Sequence, residues 1–414
     1  MPIPNIPRAL INVTAAKLRH STRYWHGISK AAQRFGRRLE RQQEILMNAP
    51  ALARRRVQRS RAALVRSRTR LERFDDHVLQ PYRIERRVKR TLAQGASGRR
   101  PIIVGPWTSE VGYEALYWVP FLHWVLDRYR LDPQRVVAVS RGGTEAWYEG
   151  IAGRYVDVFD CMPPREFAAE LRTRREQGDQ KQMASSALDR RLAAVVADRL
   201  GLQEPLVWHQ GLMYQLFRAF WYGDRSLQFF LTHTDFDRAR RALAAAVRDS
   251  AGPALPELPA GYAAVKFYTG PSLPDTAANR DALRRYVERL AARMPVVMLD
   301  MPWTPDDHAD YTFDGIRGVT TLAPALDPRN NLGVQTRVIA AARMFVGTCG
   351  GLAWLAPLLG VDTVAVYDDD RFLTPHLYAA RHAYRYSEAA EFSTLNIRAL
   401  RGLSSIGALA GGGE

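Results

Sequence analysis

The stretch RMFVGTCGGLAWLAPLLGVDTVAVY, residues 343–367, contains the pattern on which the interpretation of the fold depends. An apolar run at Met344–Val346 leads into paired glycines, an apolar segment over 351–359, a further glycine and a second apolar run at Thr363–Val366. A strand, a glycine turn, a short helix and another strand in this order predict a parallel βαβ unit.

The same alternation extends in both directions from this stretch. Short apolar runs alternate with longer amphipathic segments over residues 99–250 and again over 261–400, and the Pro-rich segment 251–260 separates the two sets. We therefore expect an α/β protein with two Rossmann-like domains that face each other across a cleft. The predicted strands are Ile102–Val104, Val136–Val139, Val156–Phe159, Pro205–Trp208, Ala263–Phe267, Val296–Leu299, Met344–Val346 and Thr363–Val366. The predicted helices are 111–129, 144–153, 164–199, 277–293, 333–342 and 351–359, with another beginning at Gly211.

Residues 1–96 differ from the rest in charge. Residues 1–100 contain 25 Lys and Arg against 6 Asp and Glu, a net charge of +19, whereas the whole chain carries +17. Apolar residues recur every seven positions, so this extension is expected to be helical and coiled-coil-like. It is interpreted as a solvated arm that drives homo-oligomerisation or as a contact with an anionic membrane surface. Nucleic-acid binding is disfavoured, because the aromatic residues do not interleave with the basic run. The heptad positions are Val57, Leu64, Leu71 and Val78, and the aromatic residues are Tyr24, Trp25 and Phe35.

Cysteine content and hydropathy limit the class of protein. The chain has two cysteines, Cys161 and Cys349, without histidines at metal-ligand spacing, which argues against a disulfide framework and a metal site. No apolar run approaches the ~20 residues that span a bilayer, and the N-terminus lacks the apolar core of a signal peptide. We expect a cytoplasmic protein, peripheral on the inner membrane face if the basic arm binds lipid.

The paired glycines after the strand at Met344–Val346 are candidates for anion binding. Gly350 and Gly351 would bring backbone N–H groups close to an anion at a helix N-terminus, where the helix dipole favours negative charge. The alternative is a tight turn with close packing and no ligand.

Residues 343–367 resemble the donor-binding segment of bacterial heptosyltransferases and related GT-B glycosyltransferases. That segment contains Asp-Thr-Gly-x-x-His-x-Ala-x-x-x-Gly-x-Pro between two apolar strands. In an ungapped alignment the second glycine, the alanine and the last glycine of this chain agree with it, and other positions differ. The matches are Gly351, Ala356 and Gly360; Cys349, Gly350, Trp354 and Asp362 stand in place of Asp, Thr, His and Pro.

The resemblance implies a two-domain fold in which the second domain holds a nucleotide-sugar donor, with no other cofactor. Its diphosphate is expected on the backbone around the paired glycines. Lys266, at the carboxyl end of a predicted strand, resembles the cation that faces the leaving diphosphate in this family; the alternative is a lysine whose ammonium simply reaches solvent. Further candidates for donor binding are Thr269, Gln335, Thr348, Cys349, Gly350 and Gly351.

The first domain is then expected to bind a glycan acceptor and to supply a base. The loop GPWTSEVGYE, residues 105–114, follows the first strand and places Glu110 and Glu114 one helical turn apart on one face. We choose Glu110 as the base that takes the acceptor hydroxyl proton, with Glu114 as second choice. His209 follows a later strand and is a rival base. Arg141 is a candidate for binding an acidic acceptor or a donor phosphate.

The sequence therefore predicts a metal-independent glycosyltransferase of cell-surface polysaccharide assembly. Two alternatives stay open. One is a nucleotide-sugar epimerase or a pyruvyl transferase on the same fold, and the other is a non-catalytic GT-B binding module with a basic arm.

Overall fold

The computed structural model describes residues 77, 79–176, 183–249, 255–303, 308–371, 373–385 and 389–399. The chain divides into two units, Met1–Gln80 and Pro81–Glu414, and nearly all described elements belong to the second. The predicted heptad positions 57, 64, 71 and 78 lie outside the described residues.

Among the described residues, ten strands form two sheets in which every strand pair is parallel. The first sheet has the order β3-β2-β1-β4 and the second has the order β10-β9-β8-β5-β6-β7. The strands are β1 Ile102–Val104, β2 Val136–Ser140, β3 Arg154–Asp157, β4 Leu206–Trp208, β5 Ala263–Lys266, β6 Val296–Met298, β7 Val319–Thr321, β8 Met344–Thr348, β9 Asp362–Tyr367 and β10 Phe392–Asn396. The predicted α/β class with two Rossmann-like sheets is confirmed.

Helices connect these strands. The α-helices are Gln80–Ser97, Val111–Tyr113, Val119–Tyr129, Val158–Cys161, Pro164–Glu176, Ala187–Arg199, Gly211–Trp221, Leu227–Leu231, Phe236–Asp249, Ala277–Ala291, Asn331–Ala340, Gly351–Leu355 and Thr374–Tyr384. A π-helical segment spans Glu114–Trp118, and 3₁₀ turns span Pro133–Arg135, Glu145–Tyr148, Ala323–Ala325 and Ala356–Leu359.

The strand order places a switch point in each sheet. The second sheet has the order of a dinucleotide-binding Rossmann sheet, in which the first and fourth strands of the set lie side by side and the chain then proceeds outward in both directions. Here those strands are β5 and β8, and in the first sheet the corresponding pair is β1 and β4. Ligands of open parallel sheets bind outside the carboxyl ends of strands at such points. The loops after these four strands are therefore candidate ligand-binding sites.

Burial of the central strands explains why continuous apolar runs of the sequence form them. All residues of β1, β2, β5 and β6 are buried, which is typical of parallel strands covered by helices on both faces. The helix Gln80–Ser97, at the end of the predicted extension, packs on the first sheet. Its buried residues include Val88 and Leu92, and a Cβ at Gly95 would lie 2.8 Å from the indole ring of Trp208.

Several predicted elements differ from the structure. The predicted helix 164–199 is two helices, because Ser186 caps a new one: its hydroxyl accepts from the Asp189 amide while the Asp189 carboxylate accepts from the Ser186 amide. The predicted helix 144–153 is the short 3₁₀ turn Glu145–Tyr148, and Phe159, predicted to be in a strand, lies in Val158–Cys161.

Two strands were not predicted from the sequence. β7 has three residues, two of them exposed, and every residue of β10 is half-buried. Neither has the continuous apolar run by which the buried strands were recognised, because both lie at the edges of the second sheet.

Candidate active site

A cleft of about 900 Å³ lies at the carboxyl ends of both sheets. Its walls include the loop after β1, the loop after β2, the end of β5 and the loop after β8. Both switch points therefore open on one cavity, which is large enough for a drug-sized or nucleotide-sized ligand.

The loop after β1 begins at a glycine that the packing requires. Gly105 has φ +109°, and a Cβ there would lie 2.4 Å from the carbonyl oxygen of Val139 in β2. The Trp107 amide then donates to that same carbonyl oxygen at 2.8 Å. This fixed turn leads to Glu110, which lies immediately before the helix Val111–Tyr113, is exposed and lines the cleft.

Glu114 lies one turn further on, at the first position of the π-helical segment. It is fully buried and does not line the cleft. Its Oε1 accepts hydrogen bonds from Ser140 Oγ at 2.5 Å and from the Tyr148 hydroxyl at 2.6 Å, and its Oε2 is buried without a hydrogen-bond partner. Burial raises the pKa of Glu114 to about 7, against the opposing effect of the nearby Arg141 guanidinium.

Arg141 follows β2 and lines the cleft with only 9% of its surface exposed. Its Nη2 donates to the carbonyl oxygen of Ser109 at 2.9 Å, and its Nη1 is buried without a hydrogen-bond partner. Within the described part of the chain, no ion pair forms to this guanidinium. It is a nearly buried cation without a neutralising carboxylate in contact.

His209 follows β4 and is engaged within the first domain. Its Nδ1 accepts from the Gly211 amide at 3.0 Å, so the neutral ring carries its proton on Nε2, which donates to Asp189 Oδ2 at 3.1 Å. Both ring nitrogens therefore have protein partners, and His209 does not line the cleft.

Asp189 connects His209 to the cleft wall. Burial alone would raise its pKa, but the hydrogen bond from His209 and the charge of Arg174 hold the pKa of Asp189 well below its usual range. Arg174 lies 3.2 Å from both carboxylate oxygens and also donates to Thr108 Oγ1 at 3.0 Å. Thr108 and Arg174 line the cleft. This hydrogen-bond network fixes Thr108, which belongs to the loop that carries Glu110.

In the second domain, Lys266 lies at the end of β5 and lines the cleft. Its Nζ donates to Asp310 Oδ2 at 2.6 Å and to the carbonyl oxygen of Leu299 at 2.9 Å. An ammonium group has three N–H donors, so one is not used by these two contacts. Burial raises the pKa of Asp310, and Lys266 opposes that rise. The ammonium group of Lys266 is thus paired with the Asp310 carboxylate.

The loop after β8 is bound tightly to the loop after β5. Thr348 Oγ1 accepts from the Tyr268 amide at 2.8 Å and donates to the Tyr268 carbonyl oxygen at 3.0 Å. Gly350 has φ +133°, and a Cβ there would lie 2.5 Å from the Tyr268 hydroxyl. Cys349, Gly350 and Gly351 line the cleft, whereas Thr348 does not. Burial raises the pKa of the Cys349 thiol, so it does not act as a thiolate.

The helix that begins at Gly351 is shorter than predicted. It ends at Leu355 and continues as the 3₁₀ turn Ala356–Leu359, because Pro357 lies within the predicted span. The backbone at Gly351 also abuts the first domain, since a Cβ at Gly112 would lie 2.8 Å from the Gly351 nitrogen. Gly351 thus packs closely against the first domain at the edge of the cleft, whereas Gly350 packs against Tyr268 of its own domain.

Two other predicted donor-binding residues have different surroundings. Gln335, on the helix Asn331–Ala340, lines the cleft with 1% of its surface exposed, and its Nε2 is buried without a hydrogen-bond partner. Thr269 does not line the cleft; its Oγ1 accepts from the Ala309 amide at 3.1 Å and its carbonyl oxygen accepts from His308 Nδ1 at 2.6 Å.

Sequence reasoning missed two cleft histidines. His376 forms hydrogen bonds with two tyrosine hydroxyls of the first domain. Its Nε2 lies 2.9 Å from the Tyr113 hydroxyl, and its Nδ1 lies 2.6 Å from the Tyr117 hydroxyl. His308 donates from Nδ1 to a backbone carbonyl oxygen, so its neutral ring has the lone pair on Nε2. No local motif marks either residue, because each reaches the cleft only through the tertiary fold.

The aromatic residues of the first loop divide between core and cleft. Trp107 and Trp118 are fully buried with ring centroids 5.8 Å apart, whereas Tyr113 lines the cleft. Tyr113 can therefore contact a ligand in the cleft, and the two buried tryptophans cannot.

No family model matches the sequence, and no curated protein matches it. Similar solved structures include the E. coli heptosyltransferase WaaC with ADP-2-deoxy-2-fluoro heptose, at 16% identity and a TM-score of 0.36 over 74% of this chain and 99% of that chain. A glycosyl transferase family 9 protein from Veillonella parvula DSM 2008 matches at 14% identity and a TM-score of 0.38, over 76% of this chain and 91% of that one. The UDP-GlcNAc 2-epimerase from Methanocaldococcus jannaschii matches at 9% identity and a TM-score of 0.34, over 74% and 91%. At such identities and TM-scores the likeness concerns the arrangement of elements and bears on neither substrate nor reaction.

Among the helices of the described residues, none combines the length and the apolar character needed to cross a membrane.

Proposed function

We propose that this chain is a GT-B-type glycosyltransferase that moves a sugar from a nucleotide-sugar donor to a glycan acceptor in cell-surface polysaccharide assembly, without a catalytic metal. The observation that carries the proposal is the single cleft on which the switch points of both parallel sheets open. In this proposal the strand ends of each sheet bind one substrate. A group transfer requires two substrates bound next to each other in the correct orientation, and a shared cleft meets that requirement.

The positions of the carboxylates favour Glu110 as the base. Glu110 is exposed at the cleft, whereas Glu114 is buried behind it and His209 has both ring nitrogens bonded. In the proposed reaction the acceptor hydroxyl oxygen bonds to the anomeric carbon, the bond from that carbon to the diphosphate oxygen breaks, and Glu110 takes the hydroxyl proton. Glu114 and His209 hold the loop and its wall in place.

The leaving diphosphate is assigned to the second domain. Lys266 would offer its remaining N–H to a phosphate oxygen, and its pairing with Asp310 fixes the direction of the ammonium group. The backbone around Gly350 and Gly351, with Thr348 bracing the loop, borders the same space. Cys349 packs as a small apolar residue, and Thr269 supports the loop at 268–270. Gln335, on the helix Asn331–Ala340, also lines the cleft and is not assigned to the diphosphate.

A direct test compares transfer with donor binding in two matched variants. Glu110→Gln is expected to lower the rate of nucleoside diphosphate release in the presence of acceptor by about 10²–10⁴-fold, the usual contribution of a general base. Its affinity for nucleoside diphosphate, measured by calorimetry, should stay within about twofold. Glu149→Gln, at an exposed acid away from the cleft, is the control and should transfer normally. Normal turnover in Glu110→Gln would refute the assignment.

The substrate is found by a thermal-shift panel of nucleoside diphosphates and their sugars, since a ligand bound to the folded state raises the melting temperature by mass action. Transfer is then separated from epimerisation by the products. A transferase releases free nucleoside diphosphate only with acceptor present, whereas an epimerase returns an intact nucleotide-sugar of altered stereochemistry. No binding across the panel would contradict the proposal.

A further inference from the structure

We propose that Arg141 and the side-chain amide of Gln335 form a subsite for an oxyanion, a carboxylate or phosphate carried by the acceptor. This inference rests on the proposed function for the identity of its ligand. It makes the acceptor an acidic glycan rather than a neutral one.

The first support is the hydrogen bonding of Arg141. A guanidinium group carries five N–H donors in a planar fork that matches an oxyanion. Among the described residues Arg141 has one acceptor, the carbonyl oxygen of Ser109, and Nη1 is buried without a partner. Buried polar groups in native proteins are almost always hydrogen-bonded, so an unsatisfied donor beside a cavity points to a missing ligand.

The second support is charge. Arg141 is nine-tenths buried, and none of the ion pairs among the described residues includes it. The acid behind it, Glu114, is not within ion-pair distance and shares its Oε1 with Ser140 and Tyr148. An uncompensated cation away from water is costly, and an oxyanion arriving from the cleft would compensate it.

The third support comes from the second domain, on the helix that contacts the loop carrying Arg141. The loop that carries Arg141 rests on the helix Asn331–Ala340, since the Gly333 amide donates to the Gly142 carbonyl oxygen at 2.8 Å. Asn331 and Gln335 are four residues apart, on one face of that helix, and both line the cleft. Gln335 Nε2 is buried without a partner. Two residues that each carry a buried donor without a partner among the described residues, one from each domain, therefore line the same cavity.

The position of Arg141 favours the acceptor as the source of the anion. Arg141 follows β2 of the first sheet, whereas the residues assigned to the donor follow β5 and β8 of the second. The donor side already has its own cation in Lys266. A second, unneutralised cation on the first sheet is best explained by a second anionic group.

The test measures binding of small charged and neutral probes to the full chain. The probes are methyl glucuronoside, glucose 6-phosphate, uncharged methyl glucoside and a nucleoside diphosphate from the thermal-shift panel. Wild-type protein is expected to bind at least one charged sugar more tightly than methyl glucoside. Arg141→Gln should weaken that binding by about 10–100-fold, the usual loss for a hydrogen bond to a charged group, and leave nucleoside diphosphate affinity within about twofold.

The matched control is Arg154→Gln. Arg154 is an exposed arginine at the first position of β3, the end of the same sheet opposite the cleft. Its variant should bind every probe like wild type.

Three outcomes would overturn the subsite: equal binding of charged and neutral sugars, an equal loss in both arginine variants, or an equal loss of sugar and nucleoside diphosphate affinity in Arg141→Gln. The last result would assign the anion to the donor. Arg141-dependent binding of charged sugars with no nucleoside diphosphate binding would support the subsite and refute the transferase.

Gln335→Leu tests the role of Gln335 by two measurements, the melting temperature and charged-sugar binding. A purely structural role of Gln335 would not make these two change in opposite directions. Replacing an unsatisfied buried amide by an apolar group of similar size should raise the melting temperature by about 2–4 °C while it weakens charged-sugar binding. A lower melting temperature with unchanged binding would contradict the role of Gln335.

Discussion

The two sheets each present a cation to the same cleft, but in opposite electrostatic states. Lys266, after β5, contacts Asp310 at 2.6 Å, and both side chains are less than 10% exposed. Arg141, after β2, is equally buried and has one backbone carbonyl oxygen as its hydrogen-bond partner. The position of a cation at a strand end therefore does not decide its electrostatic state. The partner that the rest of the fold supplies decides it.

The largest effect is expected from breaking the pair in the second sheet. Lys266→Met leaves Asp310 buried without its counter-charge and should lower the free energy of unfolding by about 3–5 kcal/mol. Arg141→Met breaks no ion pair among the described residues and removes a buried charge, so it should not lower the free energy of unfolding. Urea denaturation of both variants measures the difference.

The double variant Lys266→Met/Asp310→Leu is the control, and it should recover most of the lost stability because it removes both charges. Similar losses in the Lys266 and Arg141 single variants would show that the two cations are not in different states.

The acid behind Arg141 allows a test by pH. Glu114 has its pKa raised from 4.5 to about 7 by burial, so between these values the folded state keeps a proton that the unfolded state has lost. Its contribution to stability is therefore greatest below pH 4.5 and falls by about 3 kcal/mol as the pH rises to 7. Glu114→Gln does not titrate and should lack this fall. The measurement is the difference in unfolding free energy between wild type and variant at pH 4.5 and pH 7; an unchanged difference would contradict the raised pKa.

The contact between the two domains provides a third test. Gly112→Ala adds a Cβ 2.8 Å from the Gly351 nitrogen and 3.0 Å from Trp354 Cδ1, and the resulting overpacking should cost about 1–3 kcal/mol. Gly98→Ala is the control, because its Cβ would have no neighbour closer than 3.7 Å. Chemical denaturation should give a lower free energy of unfolding for Gly112→Ala than for Gly98→Ala. Equal values would mean that the two domains move apart enough to accommodate the added Cβ.

The smallest effect concerns one helix cap in each half. Thr276 accepts a hydrogen bond from the Asn279 amide at 3.1 Å and is exposed, so Thr276→Ala should cost about 0.5–1 kcal/mol. Ser186 caps its helix and also contacts Arg174 and the Asp189 carboxylate, so Ser186→Ala should cost about 2 kcal/mol. Urea midpoints compare the two, and the reverse order would show that the Asp189 network adds nothing to the cap.

The sequence allowed the buried part of the fold to be predicted, and the reason is physical. A strand covered on both faces is a continuous apolar run, which is how β1, β5 and β8 were recognised. The edge strands β7 and β10 have exposed or half-buried residues and gave no such signal.

The positions of residues at strand ends could be predicted from the sequence, whereas the partners of their side chains could not. Glu110, Lys266, Gln335 and Gly350 line the cleft as expected from their places after strands or beside them. That Asp310 neutralises Lys266, or that His376 lies between two tyrosine hydroxyls, depends on residues distant in sequence. No local pattern encodes such pairings, so the catalytic assignments stay predictions.

The π-helical segment Glu114–Trp118 has a consequence for the geometry of the whole loop before it. One additional residue is accommodated in that turn, and each residue of an α-helix advances the rotation by about 100°. Deleting Ala115 and restoring regular winding would therefore rotate Tyr113 and Glu110 about a quarter-turn around the helix axis, away from their positions at the cleft. The additional residue therefore sets the direction in which Glu110 and Tyr113 face the cleft, and that direction depends on the number of residues in this turn as well as on their identity.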